Sequence, residues 1–159
     1  TRGTMKKLLI SAVASTMLLT AGVSAQEASS EKQAKSAAQF RQALLQLVRS
    51  NVGALGAMAK GAIPMDTQTI ETNATRLEQL SLMMDDYFAL DTSSFDIETE
   101  ALPKIWQNRA DFATKVDALT EASQGLKSAA MKGDESAYKA AIGSVLKSCK
   151  GCHDSYKAE

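Results

Sequence analysis

Near the end of the chain, Cys149-Lys150-Gly151-Cys152-His153 forms a C-x-x-C-H motif, and the 159 residues hold no other cysteine and no other histidine. That pattern is the attachment signature of c-type haem, with two thiols for thioether bonds and an adjacent imidazole for the iron. On a helix, residues at i, i+3 and i+4 share one face with Cβ atoms roughly 5–6 Å apart. Both sulfurs and the imidazole therefore point the same way. Three other readings fit less well. A zinc ion needs about four ligands, and the chain offers only the two thiols of Cys149 and Cys152 and the imidazole of His153. A dithiol redox motif belongs at a helix start near a βαβ pattern, which the sequence lacks. A structural disulfide accounts for the cysteines and leaves the histidine idle. The expected cofactor is one haem c per chain, bound through Cys149 and Cys152 with His153 on the iron. Without a second histidine, bis-histidine ligation is excluded.

Such a helix must be delivered to the right compartment and buried against partners. Met5-Lys6-Lys7 followed by the apolar run Leu8 to Leu19, with Val23-Ser24-Ala25 behind it, reads as a secretory signal cleaved after Ala25. The apolar run is short for a transmembrane helix. Residues 1–4 precede the plausible start at Met5, residues 5–25 form the signal, and residues 26–159 form one domain with a single core. The expected location is the periplasm, with no membrane span after processing. Cleavage removes Arg2, Lys6 and Lys7 and no acid, leaving 15 of the 18 basic residues against 18 acidic ones. A net charge near −3, with no basic patch and interleaved aromatics, argues against a nucleic-acid partner.

Beyond Ala25 the pattern is helical. Ser29/Ser30 with Glu31 open a first helix running to about Lys60, with Ala37, Leu44, Val48, Leu55 and Met58 at three- and four-residue steps. Gly61 and Pro64 end it, and Asp66 caps a second helix with Ile70, Ala74, Leu77 and Met84 inward. Leu90 to Leu102 is a Ser-, Thr- and acid-rich loop. Pro103 suits the first turn of a third helix carrying Trp106, Ala113, Val116, Leu119 and Leu126. Gly133 stops it, and Asp134 caps a fourth. There Tyr138, Ile142, Val145, Cys149, Cys152 and Tyr156 alternate by four and three, the seam spacing of bundle packing. The expected fold is all-α, an antiparallel up-down-up-down four-helix bundle with the haem in its interior.

The sequence resembles the cytochrome c′ family over essentially the whole of residues 26–159. The similarity rests on Phe40-Arg41-Gln42-Ala43-Leu44-Leu45, Gly61-Ala62-Ile63-Pro64-Met65-Asp66, Leu102-Pro103-Lys104-Ile105-Trp106 and Ser148 to Lys157 around the motif. The resemblance implies that Cys149 and Cys152 carry the thioethers and that His153 is the proximal ligand. It implies that Arg41 and Gln42 contact the haem near its propionates, that Glu100 falls at another haem-contacting position, and that Leu45 covers the distal face. Lys157 stands where relatives often carry arginine, which keeps the charge and loses the planar fork. It further implies a homodimer formed by the outer faces of the first two helices.

The iron's sixth site decides the function. The methionines of residues 26–159 are Met58, Met65, Met83, Met84 and Met131, none of them in the Arg41 to Leu45 stretch where a methionine-ligated relative places its own. The expectation is a pentacoordinate high-spin iron beneath an apolar distal face. That makes the chain a non-enzymatic haem protein binding nitric oxide and carbon monoxide, or an electron carrier with an unidentified redox partner. The alternative is a low-spin, methionine-ligated electron-transfer cytochrome. No catalytic acid–base pair is visible.

Overall fold

The computed structural model describes residues 25–159. Residues 1–4 and the expected signal, residues 5–25, lie outside that range apart from Ala25 itself. Ser30 opens α1 (Glu31–Ala59), its extended backbone letting the side chain accept the Gln33 N–H. The buried stripe of α1 is Ala34, Ala38, Arg41, Leu44, Val48, Asn51, Leu55 and Met58. Ala37, expected inward, is only half-buried. Gly61 takes φ 72° just after the helix, a left-handed conformation that suits a residue without Cβ. Asp66 accepts the Thr69 N–H at 2.7 Å and opens α2 (Thr67–Tyr87), whose buried face includes Ile70, Ala74, Leu77 and Met84 as expected.

The expected third helix is interrupted. Pro103 starts a four-residue α3 (Lys104–Gln107), and Asn108 breaks the ladder at φ −135°, ψ 58° before α4 (Arg109–Lys132) begins. The break has a physical reason. The Trp106 indole N–H donates to the Phe88 carbonyl at 2.9 Å, and Arg109 Nη1 donates to the same oxygen at 3.1 Å. Both side chains thus serve the open C-terminal end of α2. Gly133, at φ 65°, ends α4, and α5 (Glu135–Tyr156) follows. Asp134 stands at the N-cap position of α5, but its carboxylate accepts the Ser136 hydroxyl (2.7 Å) and no backbone amide.

The four long helices α1, α2, α4 and α5 pack as an antiparallel bundle. α2 lies against α1 and α4, α5 closes the ring against α4 and α1, and of these neighbouring pairs α1 and α5 pack most sparsely. Leu55, Ile70, Leu77, Leu126, Ile142 and Val145 fill its centre. Polar contacts fix the register. Asn73 donates to the Asn51 carbonyl at 3.0 Å, and the Ser81 and Thr120 hydroxyls meet at 2.7 Å. The Tyr138 hydroxyl lies 3.1 Å from that of Thr67 at one end, and the Tyr156 hydroxyl donates to Asp111 at the other. Among the described residues, no helix is long and apolar enough to cross a membrane.

The Ser- and Thr-rich segment is held more firmly than its composition implies. β1 (Gln26–Glu27) and β2 (Leu90–Asp91) form a two-residue parallel pair, extended by the Ala28 N–H donating to the Asp91 carbonyl at 2.8 Å. At its far end Ala101 bridges Lys157, the Leu102 N–H donates to the Tyr156 carbonyl, and the Ala158 N–H donates to that of Glu100.

Candidate haem site

α5 presents its motif at the margin of the bundle. Tyr138, Ile142, Val145 and Tyr156 are buried, whereas Cys149 and Cys152 are half-buried against the core and His153 is exposed. The expected seam therefore loosens at the two cysteines and closes again at Tyr156. On the outer side Lys150 pairs with Asp154 at 2.7 Å, an i, i+4 contact. Burial pushes the Cys149 thiol up, partly offset by its hydrogen bond with Ser148. Burial, with Cys149 next in weight, pushes the Cys152 thiol up to about 11. One turn beyond Cys152, burial and the Asp111 carboxylate raise the Tyr156 phenol to about 12. That ring meets Phe112 edge-on at 5.3 Å, fixing the end of α5 against the start of α4.

Arg41 is the buried cation of this end of the molecule. It is 2% exposed, and its guanidinium lies over the rings of Trp106 (5.1 Å) and Phe88 (5.5 Å). Nη2 donates to the Thr92 hydroxyl at 2.8 Å, while Nε and Nη1 are buried without a partner. Burial pulls its pKa down, opposed by the nearby Asp91 carboxylate. A buried cation with two idle donors is costly unless an acidic acceptor completes it. A carboxylate-bearing cofactor such as haem, with its propionates, meets that need, and the residues present fit the group.

The remaining predicted residues line the flank of α1 that turns away from α2. Phe40 meets Tyr87 of α2 edge-on at 6.4 Å, and Asn51 meets Asn73, so that face belongs to α2. Leu45 sits about 120° round the helix from Asn51. It is 38% exposed, whereas Leu44 and Val48 are packed into the core. Gln42, one residue past Arg41, reaches the Glu98 carbonyl at 3.4 Å. Glu100 is exposed and pairs with Lys157, just beyond the end of α5, at 3.2 Å. The structure thus gathers Arg41, Gln42 and Leu45 on one stretch of α1. It also brings the segment carrying Glu100 alongside the motif helix.

Phe88 and Thr92 went unread as site residues. The aromatic at the end of α2 looks like ordinary core, and a threonine in a Ser- and Thr-rich stretch carries no spacing signal. Only the Arg41 contact distinguishes either. Asp111 was equally silent, although an acid in the first turn of α4 is what a helix dipole favours.

A helical bundle with C-x-x-C-H on its last helix and a buried arginine awaiting an acidic group defines a class of haem-bearing proteins. Residues 36–157 match the family described as Cytochrome C′. The cytochrome c′ of Alcaligenes xylosoxydans xylosoxydans is 36% identical over 124 residues, covering 76% of this chain and 92% of that protein. Cytochrome c prime from Shewanella frigidimarina superposes with a TM-score of 0.72 at 39% identity, covering 79% of this chain and 97% of that one. The nitric oxide complex of a mutant cytochrome c prime from Alcaligenes xylosoxidans gives 0.70 at 32% identity, covering 79% and 96%. The chain belongs to the cytochrome c′ family, and its cofactor is haem c.

Proposed function

We propose that the protein is a periplasmic cytochrome whose iron has His153 as its sole protein ligand. On this reading it binds nitric oxide and carbon monoxide, with electron transfer to an unidentified redox partner as a second use of the same centre. The carrying observation is the distal flank. Leu45, which the family resemblance puts there, lies outside the core with no coordinating side chain within a turn of it on α1. Met58 is about 25 Å further along the helix from Arg41, and Met83 and Met131 are exposed on other helices.

With His153 as its one protein ligand, haem would supply an iron able to take a small neutral diatomic and to change oxidation state. The residues of the chain do the rest. Cys149 and Cys152 would tether the macrocycle, His153 would supply the proximal nitrogen, and Arg41 with Gln42 would receive the propionate edge. Leu45 would exclude water by offering no hydrogen-bond partner, and Glu100, paired with Lys157, would be a further haem contact. The nitric oxide complex of the Alcaligenes xylosoxidans mutant supports the gas-binding reading by likeness.

A homodimer completes the proposal. Phe40 and Leu47, 59% and 55% exposed, stand two turns apart on α1, and Met83 lies one turn before Tyr87 on α2. This apolar strip on the outer faces of the first two helices suits a second copy of the chain.

The competing reading, a low-spin methionine-ligated carrier, needs Met84, which is buried one turn before Phe88. Absorption and electron paramagnetic resonance spectra of the oxidised protein separate the two. High-spin iron is expected in the native protein and in Met84→Leu alike. A low-spin native signal that Met84→Leu converts to high spin would overturn the pentacoordinate reading.

A further inference from the structure

The Arg41 guanidinium is aimed by a part of the molecule that belongs to no helix. Its Nη2 bond to Thr92 is its single hydrogen bond, and Thr92 is 1% exposed. Thr92 follows β2 directly, and β2 is held by two residues of parallel pairing to β1. The Ala28 N–H then grips the Asp91 carbonyl, one residue from Thr92. Asp91 and Thr92 therefore present a charge and a hydroxyl to Arg41 from a backbone that would otherwise be free loop. The aromatic rings of Phe88 and Trp106 fix where the guanidinium lies, but a ring face does not fix rotation about its normal. A hydrogen bond to one terminal nitrogen does.

We propose that Thr92, braced by the β1–β2 pair, is a positioning residue that turns Arg41 so that its two idle nitrogens face the haem propionate edge. The inference rests on the reading that Arg41 serves that edge. A fixed cation beside the haem favours the reduced, less positive state and so raises the reduction potential. A guanidinium released from Thr92 spends only part of its time in the same place, and its effect falls accordingly.

The test is the midpoint potential of the holoprotein by spectroelectrochemistry, with urea unfolding measured alongside. Arg41→Gln tests the underlying reading and should lower the potential. Thr92→Val, equal in shape but without the hydroxyl, should lower it in the same direction by a smaller amount. Thr92→Ser, which restores the oxygen, should return it to the native value even if stability is not regained. If Thr92→Val does not fold, Ala28→Pro, which removes the amide held by Asp91, should give the same downward shift. A shift with Arg41→Gln and none with Thr92→Val overturns the positioning role alone. A shift that Thr92→Ser fails to reverse also overturns it, since the hydroxyl is then not the cause. No shift with Arg41→Gln overturns the reading beneath it.

Discussion

At Leu45 a single side chain carries the argument about ligand access. It is branched, apolar and free of core packing, unlike Leu44 and Val48 one residue before and three after. Truncation to alanine should relieve steric crowding of about 1–2 kcal/mol, hence on the order of a tenfold gain in carbon monoxide affinity. Val48→Ala should instead cost stability, since its methyl groups fill the core. Stopped-flow binding with both variants checks this, and a gain confined to Val48→Ala would place the wrong face of α1 over the iron. The chemistry-bearing residues were legible because their type and spacing are rare. C-x-x-C-H on one helix face announces haem whatever surrounds it. Glu100, expected at a haem-contacting position, pairs with Lys157 in the structure. Carboxylates are common on surfaces, so only three-dimensional placement tells which cation one meets.

Helix ends and stripes were equally readable, because a cap or a period-3.6 pattern is a local property. Ser30, Asp66, Gly61 and Gly133 stand where expected, and the α2 core residues were named from spacing alone. The interruption at Asn108 was not legible. It arises from Trp106 and Arg109 both reaching the Phe88 carbonyl, 18 and 21 residues back in sequence. The β1–β2 pair was hidden for the same reason, since two residues are too short to show a period. One cap gives a pH test. Hydrogen bonding from Thr69 holds the Asp66 carboxyl below its usual range. A group whose pKa is lower in the folded state stabilises fully above its ordinary value, about 4, and loses that contribution as pH falls through the folded value. The melting temperature of Asp66→Ala should therefore lie below native at pH 6 and converge with it toward about pH 2. Ser30→Ala removes a cap that does not titrate and should cost about 1 kcal/mol at either pH. A difference between native and Asp66→Ala that stays constant with pH would contradict the assignment.

At the scale of the whole molecule, the proposed dimer rests on the exposed strip of Phe40, Leu47 and Met83. Glutamate at Phe40 and at Leu47 together should convert a dimer to single chains in sedimentation velocity, with helical circular dichroism unchanged because neither side chain is buried. A native protein that sediments as a monomer at micromolar concentration would remove the dimer. The bundle architecture was legible from four periodic segments and short connections, but which outer face is apolar enough to pair emerges only once the inner faces are assigned. The raised thiols of α5 add a constraint on timing. At neutral pH a thiol pushed up to about 11 is almost wholly protonated and a weak nucleophile. Once α5 has docked against α4, with Tyr156 bound to Asp111 and residues 156–158 gripped by residues 100–102, Cys152 is half-buried and its thiol favours the protonated form. On the proposed reading, haem would best engage the two thiols while α5, the last helix in the chain, is still undocked from α4 and α1.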